Sequence, residues 1–264
     1  MITNKKTITI IVITLLLASA LTTIMPVSAK SKSSTIHVYP GNSIQAAIDL
    51  AKAGDTVLVH AGTYNERVIV SKQLILKGDK AVLDLATVSF PPFDTNVHAV
   101  HRGNAGIYVE AGGVTVSGFT IRNVPFYPPI ATGNIPYAFG IRFAGSSSNG
   151  LIENNIVDSA YIGIGVTSPY DTSGIDYPEI TNVEVRNNKI SAFNGIWIIN
   201  PRNIVVRNNQ VTARTNPATT VSPIGISVLN LNTIGGPVPS IAGISVSGNT
   251  VNSERTGIDR KSVV

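Results

Sequence analysis

VEVRNNKISAFNGIWIINPRNIVVRNNQV, residues 183–211, holds the pattern that decides the fold. An octad, VEVRNNKI (183–190), returns as IVVRNNQV (204–211), and the tetrad GIWI (195–198) lies between the two. The octad recurs as VTVSGFTI (114–121), GLIENNIV (150–157) and ISVSGNTV (244–251), with a weaker copy, LILKGDKA (74–81). The tetrad recurs as GIYV (106–109), GIRF (140–143), GIGV (163–166) and GISV (225–228). Within each pattern apolar residues alternate with polar or small ones, the mark of a strand with one buried face. No helical pattern separates the repeats, which excludes a βαβ fold. A unit this short cannot bury its own apolar face, but stacked units can. The expectation is a solenoid of parallel strands, with neighbouring coils roughly 4.8 Å apart.

Stacking puts Asn155, Asn188, Asn209 and Asn249 in one column. Asn154, Asn187 and Asn208 stand beside them, with Gly118 and Gly248 in equivalent places. Asn and Gly accept the left-handed backbone of a tight bend, and stacked Asn amides can bond to one another. The columns are therefore read as structural. Ser43 ahead of IQAAIDLAKAG (44–54) predicts a capping helix that Gly54 ends, with Ile44, Ala47, Ile48 and Ala51 on one face. The strands TVLVH (56–60) and ERVIV (66–70) follow.

The stretch YPGNSIQAAIDLAKAGDTVLVHAGTYNERVIVSKQLILKG (39–78) resembles the opening of right-handed parallel β-helix proteins of the pectin-lyase-like superfamily, closest to the NosD-like group. The NN and GI repeats resemble that superfamily's parallel β-helix repeat, and the likeness spans about residues 36–258. It implies an all-β, single-stranded right-handed parallel β-helix with an N-terminal capping helix. It leaves function open, because the superfamily holds lyases, hydrolases, adhesins and surface-layer proteins.

The 264 residues carry 13% charged and 43% hydrophobic side chains and no Cys. That excludes a disordered tail protein, a disulfide scaffold and a Cys-based zinc module. The net charge of +5 includes Lys5 and Lys6, and what remains is too small and dispersed for a nucleic-acid partner. Lys5 and Lys6, the apolar run Ile8–Ala20 and the small residues Val27-Ser28-Ala29 read as a signal peptide over 1–29. An uncleaved anchor is the alternative. Either places the body, 30–258, outside the cytoplasm: extracellular, cell-surface or periplasmic. Membrane contact is then expected only through an uncleaved signal or a C-terminal anchor outside this sequence. Residues 259–264, DRKSVV, match the translation of GAT-CGG-AAG-AGC-GTC-GTG, the start of a common sequencing adapter. They are expected to be read-through from a longer natural chain.

In each tetrad the second and fourth residues should point inward and the third outward. The outward column reads Tyr108, Arg142, Gly165, Trp197 and Ser227. Aromatic faces pack on sugar C–H surfaces and Arg pairs with carboxylates, so Tyr108, Arg142 and Trp197 form a candidate polysaccharide strip. The alternative is that loops cover them and they only pack. Segments 122–139 and 212–223 leave one corner of the coil, and 167–182 and 229–242 the opposite one. They would flank the strip with Phe126, Tyr127 and Tyr137 on one side and Tyr170 and Tyr177 on the other. No tetrad carries an acid at its centre, and the polygalacturonase signatures of the superfamily are absent. Asp171, Asp176 and Glu179 share a loop that could hold Ca²⁺, the one cofactor the sequence suggests. His98 and His101, with Asp94 nearby, could hold a transition metal or exchange protons. Three functions stay open: a secreted or surface polysaccharide-binding β-helix, a polysaccharide lyase or glycoside hydrolase, and a NosD-like accessory or surface-layer protein.

Overall fold

The structure, a computed structural model, describes residues 32–90, 104–125, 138–167, 179–200, 202–215, 222–230 and 242–253, and the backbone of 256–262. Strand β1 (Thr35–Val38) precedes helix α1 (Ile44–Leu50). The first full coil is β2 (Thr56–Val59), β3 (Gly62–Tyr64) and β4 (Val68–Val70). Then come β5 (Ile75–Asp84), β6 (Ala105–Val109), β7 (Thr115–Arg122) and β8 (Phe139–Ala144). They are followed by β9 (Leu151–Glu153), β10 (Ile156–Thr167), β11 (Thr181–Arg186) and β12 (Lys189–Ile199). The last are β13 (Arg202–Arg207), β14 (Gln210–Ala213), β15 (Ile224–Asn230), β16 (Ser245–Ser247), β17 (Thr250–Ser253) and β18 (Thr256–Ser262).

Every strand pairing is parallel, and the pairings form three ladders. The first runs β1–β2–β5–β7–β9–β11–β13–β16. The second runs β3–β5–β7–β10–β12–β14–β17. The third runs β4–β6–β8–β10–β12–β15–β18. Strands β5 and β7 bend from the first ladder into the second, and β10 and β12 bend from the second into the third. The octad is thus not one flat strand: it spans the bend between the first two ladders, and the tetrad forms the third.

Alternation sends the apolar residues of all three ladders into one interior. Leu76, Val116, Ile152, Val185 and Val206 stack in the first ladder, and Leu83, Ile121, Val157, Ile190 and Val211 in the second. Ile107, Ile141, Ile164, Ile196 and Ile226 stack in the third. The second and fourth tetrad positions do point inward. The first four tetrads open on Gly because a Cβ at Gly106, Gly140, Gly163 or Gly195 would press on the next coil: at Gly195 it would collide with Val211 and the Gly225 carbonyl.

The two Asn columns have different tasks. Asn154, Asn187 and Asn208 take left-handed φ of 56°, 55° and 57°, as do Gly118 and Gly248 at 77° and 62°. The second Asn of each pair is not left-handed but forms an internal ladder. Nδ2 of Asn155, Asn188 and Asn209 donates to Oδ1 of the next Asn at 3.1, 3.0 and 2.9 Å. The same Oδ1 atoms accept the backbone N–H one coil back, and Nδ2 of Asn188 also donates to the Ile152 carbonyl. Buried amides are tolerated because they are satisfied this way. A further left-handed column, Gly113, Asn149, Asn182, Asn203 and Gly243, opens the first ladder, a Gly or Asn standing one residue ahead of each of the five octads.

Helix α1 starts where expected: Ser43 Oγ accepts from Ala46 N–H. Glu66 completes the cap, accepting from Ile44 N–H at 2.7 Å and Gln45 N–H at 3.2 Å. The helix ends at Leu50 rather than Gly54. Ala51 is already extended, and the Asp55 carboxylate takes the Lys52 and Ser34 N–H groups, each at 2.8 Å. These two bonds hold the Asp55 carboxyl below its ordinary pKa. Ile44, Ala47, Ile48 and Ala51 are buried at the N-terminal end of the interior, as their spacing predicts.

Candidate functional site

The third ladder is flanked by the longest connections. Residues 85–104, 123–138 and 214–223 link the second ladder to the third, and 168–180 and 231–244 link the third to the first. The inserted segments leave from the two corners that the repeat spacing assigns them. Phe126, Tyr127, Tyr137, Tyr170 and Tyr177 lie outside the described residues.

The outward column has the expected register: Tyr108 pairs with Arg142, Arg142 with Gly165, Gly165 with Trp197 and Trp197 with Ser227. Ile69 precedes Tyr108, and Asp259 follows Ser227. The tetrads alone suggested no acid at a central position; by backbone register Asp259 is one. The column is not bare, however. Tyr108 and Arg142 are 4% and 7% exposed, and Ser227 is fully buried with Oγ unbonded among the described residues. A second apolar cluster lies outside the coil: Tyr108, Phe139, Tyr161, Ile162 and Phe193 with two alanines, and Trp197 packs half-buried against it. The expectation of a solvent-facing strip therefore fails for Tyr108 and Arg142. Phe139 is one reason. Its ring lies where a side chain at position 165 would stand, and only Gly165 leaves it room.

Arg142 is the unusual member. Nε donates to Thr167 Oγ1 at 3.0 Å and Nη1 to Asn104 Oδ1 at 2.9 Å. The guanidinium lies 4.7 Å from the Phe139 ring centre and 5.9 Å from that of Tyr108. Burial pushes its pKa down to about 10, which leaves it charged at neutral pH. Among the described residues no carboxylate pairs with it. Among the described residues two of its five N–H donors are bonded, both to neutral acceptors.

The other candidates separate. His98, His101, Asp171 and Asp176 lie outside the described residues. Glu179 forms an ion pair with Arg202 Nε at 2.9 Å. Among the described residues no group of three His, Asp or Glu could hold a metal. Glu153 and Arg186 pair at 2.7 Å, but Arg207 turns to Glu184 instead, so the charges form a chain over the first ladder. Such surface pairs contribute roughly 0–1 kcal/mol each. One exposed group escaped the sequence pattern: His37 Nδ1 and His60 Nε2 lie 2.9 Å apart, with Tyr39 stacked on the His60 ring at 4.4 Å. Tyr39 and His60 follow the paired residues Val38 and Val59, a register that requires the strand pairing to be known.

Comparison with known proteins agrees with this architecture. A family model described as "Right handed beta helix region" matches residues 93–259. The chain belongs to that right-handed β-helix family. The fold of this β-helix protein is that of the pectin-lyase-like superfamily. No curated protein matches it in sequence. Among solved structures, it is similar to a pectin methylesterase mutant in complex with a hexasaccharide, at 16% identity and TM-score 0.55, over 85% of this chain and 70% of that one. It is also similar to ybhc of Escherichia coli, at 16% identity and TM-score 0.51, over 84% and 67% of the two chains. Pectin methylesterase PemA from Erwinia chrysanthemi gives 14% identity and TM-score 0.51, over 85% and 69%. At such identities the likeness is one of fold.

Proposed function

We propose that this β-helix protein acts outside the cytoplasm and binds an acidic polysaccharide along the outer face of its third ladder. The observation that carries the proposal is Arg142. A buried cation held by neutral acceptors and aromatic rings, with no acid beside it among the described residues, is costly until an anion arrives. A uronate carboxylate would supply that anion with the two-pronged geometry guanidinium prefers. Trp197, two ladder steps away and only partly buried, would pack on a sugar face. Tyr108 then supports Arg142 from below rather than touching the glycan. The N-terminal segment read as a signal supports the location, and a methylesterase of the same fold holds a hexasaccharide. Nucleic acid is not proposed as a partner.

The test is retention on polygalacturonate and alginate gels against neutral glucans, with reducing-sugar and unsaturated-product release followed in parallel. Wild-type protein should be slowed by the acidic polymers only. Arg142→Gln and Trp197→Ala, checked for an unchanged fold by thermal melting, should each weaken retention by tenfold or more. Equal retention of the folded variants would overturn the assignment. Release of product would turn the binding module into a lyase or hydrolase.

A further inference from the structure

The corner between the second and third ladders holds a cavity that the strip does not use. It measures about 290 Å³. Its origin is a bulge in β10: the register with β12 shifts between Asp158 and Ala160, and the extra residue, Ser159, takes a left-handed φ of 61°. Small buried side chains, Ala160 and Ala192, leave the dent beneath it unfilled.

The lining has a consistent chemistry. Ser191 Oγ is buried with no hydrogen-bond partner among the described residues. Ser159 and Thr215 add hydroxyls, and Phe193 adds an aromatic wall. Arg214 contributes an exposed guanidinium with no carboxylate paired to it among the described residues. The Asn123 amide nitrogen is held by Asp84 at 2.9 Å, which keeps its carbonyl oxygen free to accept. Among the described residues no acid lines the space. Asp84 is neutralised by Arg122 at 2.8 Å. Asp158, exposed on the second ladder in register with Arg122 and Ser191, is not part of the lining. Hydroxyls, one cation and an aromatic face suit a ligand that is both polyhydroxylated and anionic. At the lower end of the size range of small-molecule sites, the space fits a single ring.

We infer that this corner cavity is a separate subsite for one hexuronate unit, its carboxylate on Arg214 and a hydroxyl on Ser191, beside Phe193. The inference rests on the acidic-polysaccharide reading for its ligand class. Phe193 belongs to the same outer cluster against which Trp197 packs, so a chain on the third ladder could place a branch or terminal sugar here.

The test uses the full chain and two free sugars, D-galacturonate and D-galactose, titrated by calorimetry or by amide shifts. Galacturonate should bind at least tenfold more tightly than galactose. Arg214→Gln, at an exposed position, should weaken it tenfold or more, and Ser191→Ala several-fold. Absence of galacturonate binding in a wild-type protein that still retains polymer would overturn the subsite and leave the strip standing. Binding that survives Arg214→Gln but fails in Arg142→Gln would also overturn it, by moving the sugar to the strip. Arg214-dependent galacturonate binding without Arg142- or Trp197-dependent polymer retention would keep the subsite and remove the strip.

Discussion

The bend between the first and second ladders and the corner between the second and third face opposite demands. At the bend, each coil carries one left-handed residue, and in the four coils of Asn155, Asn188, Asn209 and Asn249 the next residue is a laddered Asn, each of the first three donating its amide to the coil that follows. Nothing can be inserted there without breaking a buried row of satisfied groups. At the corner, no such row exists among the described residues. Connections of different length leave it, β10 carries an extra residue, and a cavity opens. The bend holds the coils in register, and the corner is where coils can differ. The proposed binding features lie at the variable edge, where variation costs the stack little.

Four experiments test this contrast. The largest effect should come from Asn188→Ala, which strands the Asn155 amide and the Ile152 carbonyl inside the coil. Each unsatisfied buried group costs about 1–3 kcal/mol, so urea unfolding should show a loss near the top of that range or above it. A loss under about 0.5 kcal/mol would mean water replaces the ladder. Gly195→Ala should cost about 1–3 kcal/mol through overpacking against Val211. An unchanged melting temperature would show that the second ladder yields at this point. Removing the cap at the N-terminal end, Glu66→Ala, should cost about 1 kcal/mol, seen as faster amide exchange at Ile44 and Gln45 with the distant coils unaltered. The smallest effect belongs to the corner. Three glycines inserted after Thr215 should cost about 0.5 kcal/mol or less. A cooperative loss as large as that of Asn188→Ala would remove the distinction between bend and corner.

Much of the coil was readable in the residues themselves, for identifiable reasons. Ile196 and Ile198 alternate with Trp197, and alternation is a local property of a strand. Ser43 caps α1 through an atom three residues away. The end of α1 was not readable, because it depends on Asp55 receiving an N–H from Ser34, which β-pairing brings near. Nor did the NN dipeptide reveal which Asn is left-handed and which is laddered, since either position suits either residue. Lys80, left-handed at a φ of 56° in the weak copy, shows that the backbone requirement outlasts the Asn preference. The order Tyr108, Arg142, Gly165, Trp197, Ser227 followed from repeat spacing. Their burial did not, and neither did the cavity beside Ser191.

By itself the sequence determined the stacked coil, the Asn columns and the order of side chains along the outward face of the tetrads. These depend on residues a few positions apart and on a repeat that copies them. The tertiary structure alone decided which outward residues remain in water. Phe139 settles over Gly165, Arg142 is enclosed between rings and neutral oxygens, and the bulge at Ser159 opens the corner. Solvent exposure depends on what packs above a side chain, and that comes from parts of the chain that the repeat does not encode.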